Sequence, residues 1–199
     1  MQQEYDKHAH RYDRMLAPIE RRYLGKLRRE TLGNLPANSR ILEIGAGTGA
    51  NFEFYPSCSH AVASEISIKM LEIAKGKTTS IDLVQADAQD LPFPANYFDA
   101  AFATLVFCSV PQPAKAFAEI KRVLKPGGKI VLLEHVRPNG LLGPFFDILN
   151  VLSVALIDDH FNRRTADIVR EAGFLNVTEK RSLAGILDLI AGDNAQGSA

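Results

Sequence analysis

Residues 41 to 56 read ILEIGAGTGANFEFYP. A short apolar run carries Glu43 near its end, and three glycines follow at alternate positions, Gly45, Gly47 and Gly49. A run of strand length that breaks into alternate glycines reads as a buried strand leaving a sheet through a turn where side chains must be absent. In a doubly wound sheet the first such glycine permits the tight turn, the second clears the backbone for a ligand, and the third lets the next helix pack closely. A helix is expected from about residue 47.

Outward from this stretch, short apolar runs alternate with helical patterns. RILEI (40–44) is followed by HAVASE (60–65) and SIKMLEIAKG (67–76), then by IDLVQAD (81–87) and FDAAFATLVF (98–107), and last by PAKAFAEIKRVL (113–124) and KIVLLEH (129–135). That rhythm predicts an α/β fold, doubly wound, with a mostly parallel sheet and helices on both faces. LKPGG (124–128) ends the last helix, because Pro126 cannot continue it and Gly127 and Gly128 allow the turn into a strand. Upstream, Ile19, Tyr23 and Leu27 stand four apart with Leu24 beside them, which predicts an amphipathic helix over 18–33. Downstream come a long apolar segment from Leu141 to Ile157, a helix near 163–172, a strand at LNVTEKRS (175–182) and a final one near GILDLIAG (185–192).

With 199 residues, the chain is read as one domain with one site. Its parts are a helical cap (1–35), a cofactor-binding core (36–135) and a substrate-side insertion with C-terminal strands (136–192). Lys plus Arg equals Asp plus Glu at 23 each, which leaves no basic footprint for a phosphate backbone, so nucleic acid is not the expected partner. Two cysteines, Cys58 and Cys108, and an N-terminus of mixed charge fit a reduced cytoplasm better than export.

Three carboxylates mark the strand ends. Glu43 precedes Gly45 by two residues, a poor neighbour for pyrophosphate but a good one for an ammonium group. Glu65 follows 22 residues later at the end of the second strand, where it is suited to accept from both hydroxyls of a ribose. Asp87 closes the third strand another 22 residues on, placed to accept from an adenine amino group while Ala88 leaves room for the ring. A nicotinamide-dependent oxidoreductase would use the same strand, loop and acidic residue.

EIGAGTG, SEIS, DAQDLPFPANYFDAAFA and LKPGG, in this order and spacing, resemble the class I S-adenosylmethionine-dependent methyltransferases, of the methyltransferase type 11 kind, from about Tyr5 to residue 190. The resemblance implies a seven-stranded sheet with an antiparallel C-terminal strand, and S-adenosyl-L-methionine as cofactor, leaving as S-adenosyl-L-homocysteine. It further implies that Gly45 and Gly47 pass the methionine part, Glu65 holds the ribose, Ile66 and Met70 flank the adenine, and Asp87 and Ala88 bracket its edge. Thr104 would lie near the methionine part, with Tyr12 closing over the cofactor. Ile66 and Met70 fit a core stripe equally well. A finer resemblance, carried by LVFCSVPQP, LLEHVRP and the FNRRT helix, is to the branch with thiol and lipid methyltransferases.

Sulfonium methyl transfer is an in-line displacement, so positioning supplies much of the catalysis and an acid or base is needed only for some acceptors. His135 ends the fifth strand at the same rim, and an ordinary imidazole pKa near 6.5 makes it the candidate proton acceptor, against a structural role. Cys108 among apolar neighbours reads as packing. His160 beside Asp158 and Asp159 fits an acid or base pair or a helix end, and His8 and His10 lack the companions of a metal site. The apolar segment 141–157 is too short and interrupted to span a bilayer. It reads as a wall for a small hydrophobic acceptor, a thiol, amine, phenol, quinone precursor or lipid head group, with peripheral membrane contact. A cofactor-binding module without catalysis is the alternative.

Overall fold

The computed structural model describes residues 17–18, 20–136 and 163–195. Seven strands form one sheet: β1 (Arg40–Ile44), β2 (His60–Glu65), β3 (Asp82–Gln85), β4 (Phe98–Thr104), β5 (Leu124–His135), β6 (Leu175–Ser182) and β7 (Leu187–Asp193). Their spatial order is β3-β2-β1-β4-β5-β7-β6. Neighbours from β3 to β5 pair in parallel, and β7 runs antiparallel to both β5 and β6. The expected doubly wound sheet with an antiparallel C-terminal strand is therefore present. The order reverses between β1 and β4, which opens a crevice at their carboxyl ends.

Strand alternation divides the core. Ile41, Ala100, Phe102 and Val131 face one side of the sheet and pack with Leu32 of helix α1 (Gly25–Leu32). Leu42, Ile44, Ala101 and Leu132 face the other and pack with Phe117 and Ile120 of α3 (Pro113–Val123) and Val169 of α4 (Thr165–Glu171). The buried positions of α3, Ala116, Phe117, Ile120 and Val123, lie on one helical stripe, and Phe107 stacks on Phe117 at 4.2 Å between ring centroids. Helix α2 (Ile68–Lys75) starts where Ser67, in extended conformation, accepts from the Met70 amide at 3.2 Å.

Three expectations are corrected. No α-helix follows β1: the chain turns through residues 47–51 into one short 3-10 helix, Phe52–Phe54, because Gly47 and Gly49 hold φ of +55° and +83°, outside helical space. The helix expected over 18–33 is divided into a π-helical stretch, Glu20–Leu24, and α1. LKPGG is more than a turn. Leu124 already pairs with Phe98, a bulge follows, and the regular ladder resumes at Lys129 opposite Ala100.

Candidate active site

At the crevice, a cavity is lined by Asp87, Ala88, Glu65, Gly47, Thr104 and Arg28, among others. Ile66, Met70 and Gly45 also line it. Eight of the residues singled out in the sequence are thus brought to one surface.

The glycines explain themselves against this wall. All three have positive φ, +67° at Gly45, +55° at Gly47 and +83° at Gly49, which a Cβ disfavours. A Cβ on Gly45 would stand 2.6 Å from Val106 Cγ2, and one on Gly49 would stand 2.5 Å from Phe52 Cε2. At Gly47 the nearest atom is Met70 Sδ at 3.9 Å, so this is the position whose missing side chain leaves room in the cavity.

Glu65 ties the loop to α2. One carboxylate oxygen accepts from the Gly47 amide and the other from the Ser67 amide, each at 2.9 Å. The two bonds fix the carboxylate between the glycine loop and the start of α2. Asp87 is oriented in the same way, by the Gln89 amide at 2.8 Å and the Gln89 side-chain amide at 3.1 Å. Ser67 and Gln89 were not singled out in the sequence, and both act on the residues that were.

Glu43 departs from its expected place. It is fully buried behind the cavity wall, where it accepts from Asn51 Nδ2 and from the Tyr55 hydroxyl, each at 2.5 Å. Burial pushes its pKa up from 4.5 to about 6, against the lowering effect of the Tyr55 and Asn51 hydrogen bonds and of the Arg28 charge. The same proximity and burial raise the Tyr55 phenol well above its usual range. In this arrangement Glu43 positions Asn51, which lines the cavity, and Asn51 Nδ2 in turn donates to Thr104 Oγ1 at 2.8 Å.

Arg28 was missed in the sequence. It is 5% exposed, donates to Asn51 Oδ1 at 2.9 Å and to Thr104 Oγ1, and forms a fork with Glu20 at 2.7 and 3.3 Å. The signal was available: Arg28 shares the buried stripe of α1 with Leu27, Thr31 and Leu32, an unusual place for a charge.

The loop after β4 forms the opposite lip. Leu105 has φ +61°, and Glu134, fully buried, accepts from the amides of Val106 and Phe107 at 3.1 and 3.2 Å. Arg163 donates to the carbonyls of Phe107 and Val110 at 2.5 and 2.6 Å. His135 follows Glu134 at the end of β5, opposite Leu187, and is not among the described residues lining the cavity. Cys108 is buried within this loop, and neither it nor Cys58 forms a disulfide. Tyr12, His8, His10, Asp158, Asp159, His160 and the segment 141–157 lie outside the described residues.

The doubly wound sheet, with its cavity at the reversal of strand order, has the architecture of a methyltransferase-type domain. Comparison with known proteins agrees. Residues 42–132 match the model of the methyltransferase domain family. A ubiquinone/menaquinone biosynthesis C-methyltransferase of Pseudomonas fluorescens is 30% identical over 191 residues, covering 81% of this chain and 75% of that protein. A demethylmenaquinone methyltransferase of Renibacterium salmoninarum is 39% identical over 117 residues, 58% of this chain, and the chain spans only 48% of its length. A crystal structure of an S-adenosylmethionine-dependent methyltransferase from Thermotoga maritima superposes with a TM-score of 0.79 at 23% identity, over 98% of this chain and 100% of the other, which establishes the shared fold. The chain belongs to the S-adenosylmethionine-dependent methyltransferase family.

Proposed function

We propose that this chain binds S-adenosylmethionine across the strand tips and transfers its methyl group to a small hydrophobic acceptor, for which a quinol-type ring is the best candidate. The observation that carries the reading is the fixed pair of acceptors, Glu65 and Asp87, on one side of an opening kept clear at Gly47. Hydroxyls of a ribose and the amino group of an adenine are the donors such a pair requires. The cofactor supplies a methyl group bound to positive sulfur. The acceptor preference rests on the relatives, which are named for quinone biosynthesis, and on the apolar composition of residues 141–157.

The chain's own contribution is largely geometric. Glu65 and the backbone of the glycine loop hold the adenosyl part, while Glu134 and Arg163 fix the loop that bears Val106 and so the far lip of the cavity. In-line displacement gains from such positioning up to about 7 to 11 kcal/mol. Methylation of a ring carbon is helped when the adjacent hydroxyl gives up its proton, and His135 at the rim of β5 is our candidate for receiving it. Among the described residues no helix is long and apolar enough to cross a membrane. On our reading the enzyme works in the cytoplasm and meets a lipophilic acceptor at the membrane surface.

The test is a radiolabelled methyl-transfer assay with a short-chain demethylmenaquinol, lipophilic thiols, phenols and aminolipids. Transfer to the quinol is expected, with His135→Asn lowering kcat and leaving cofactor affinity intact. Turnover with none of the panel, with cofactor bound, would reduce the chain to a binding module.

A further inference from the structure

Two charged groups of opposite sign, Glu134 and Arg163, hold the loop after β4, and they reach it from different elements. We propose that Arg163 is a positioning residue for methyl transfer: by gripping this loop from the acceptor side it sets the wall of the cavity in which the methyl group is presented. This rests on the function proposed above.

The loop needs holding. Leu105 has φ +61°, a conformation that a residue other than glycine keeps only when its surroundings impose it. Within the loop, the Val106 carbonyl accepts from the Ser109 amide and hydroxyl at 3.1 and 3.0 Å. Other holds come from outside. Glu134, on a strand paired on both sides, takes the amides of Val106 and Phe107. Arg163 takes the carbonyls of Phe107 and Val110, both from Nη1, at 2.5 and 2.6 Å. Phe107 and Val110 are buried, where a carbonyl without a donor is costly.

The two anchors differ in kind. Glu134 belongs to the middle of the sheet and is fixed with it. Arg163 is half-buried, stands just before α4, and also lines a separate cavity with Val136, Arg164 and Glu179. Val136 directly follows His135, and in sequence Arg163 comes shortly after the apolar residues 141–157, so the guanidinium joins the acceptor side to the loop. What it holds is close to the cofactor. Leu105, Val106, Ser109 and Val110 line the cofactor cavity, and Val106 stands so near Gly45 that no Cβ fits between them. A loop packed this closely on the glycine turn has no slack, and in an in-line reaction a displacement of about 1 Å can cost about 100-fold in rate.

The test reads the loop without ligand and the reaction with it. In Arg163→Met, hydrogen exchange at the Val106, Phe107 and Ser109 amides should quicken about 10- to 100-fold, the range of one hydrogen bond to a charged group, while the amides of β1 and β4 keep their protection. The kcat for methylation of the short-chain demethylmenaquinol should fall by a like factor. Affinity for S-adenosylhomocysteine should change far less, because Glu65 and Asp87 are held by other groups. Arg164→Met, which removes an equal charge from the same cavity, should leave exchange and kcat as they are. Arg163→Lys should recover part of both losses. Unchanged exchange in the loop of Arg163→Met overturns the proposal, as does faster exchange with kcat unchanged, which leaves Arg163 a brace of the fold only. Should Arg163→Met fail to fold, Arg163→Gln decides by the same two readings. If the unaltered chain methylates nothing in the panel, the functional reading fails and the positioning role falls with it.

Discussion

Single atoms decide whether the cavity exists. Glu65 holds Gly47 and Ser67 by their amides, and we propose that its carboxylate also meets the ribose. Glu65→Ala should cost about 1.5 to 3 kcal/mol of cofactor affinity, measured by calorimetry, and an unchanged affinity removes Glu65 from the site. Gly45→Ala meets two obstacles, a Cβ 2.6 Å from Val106 Cγ2 and a φ of +67°. Val106→Ala in the same chain should relieve the first and leave the second, about 1 to 2 kcal/mol of backbone strain, so thermal melts of the single and double variants separate them. Glu43 gives a pH dependence. Its carboxyl has a folded pKa of about 6 against 4.5 unfolded, so its contribution to stability is complete below about pH 4.5 and is lost as pH rises through 6. The loss amounts to about 2 kcal/mol by pH 7. Denaturation of the unaltered chain and of Glu43→Gln across this window should show that slope in the first and not the second; parallel curves would contradict it. Glu43 lies on the strand where the sequence puts it, and its described partners are Asn51 and Tyr55. A carboxylate at a strand end reads alike whether it faces a ligand or a tyrosine twelve residues on, and Tyr55 lay in the very stretch that was read. Arg28 and Glu134 are buried charges inside otherwise apolar patterns, and neither has a neighbour in sequence that marks its partners.

Elements were legible where periodicity was strong. β1, β2, β4 and α3 fall where their apolar patterns put them, since each is buried on a whole face or stripe. Phe117→Ala in α3 should cost about 3 to 5 kcal/mol in denaturant unfolding, because the ring is fully buried and stacked on Phe107; a cost below about 1 kcal/mol would show that the stripe does not hold the sheet. Ser67→Ala should lose about 1 kcal/mol of stability through the cap of α2, yet leave cofactor affinity alone, because the bond to Glu65 comes from the Ser67 backbone. The failures also have causes. The turn after β1 resembles a helix start by composition, but successive positive φ values forbid one. LKPGG punctuates a helix correctly and hides a bulged strand entry, which only pairing with β4 reveals.

Across the whole molecule, the strand order could be expected because alternating strands and helices admit few topologies and the crossovers are right-handed. Family likeness implied an antiparallel C-terminal strand, and the position of β7 between β5 and β6 is seen only in the structure, since no local pattern announces it. The part of the cavity lined by Glu65 and Asp87 was legible because these residues sit at strand tips at regular intervals along the chain. The cluster of Arg28, Asn51 and Thr104 was not, because these residues come together from α1, the turn after β1 and β4, a convergence that no spacing announces. The account stands on adenosyl sulfonium binding at the reversal of strand order. A crystal structure grown with S-adenosylmethionine tests this most directly: the ribose hydroxyls should lie on Glu65 and the adenine at Asp87. Density for the cofactor elsewhere on the chain, or none at saturating concentration, would contradict it.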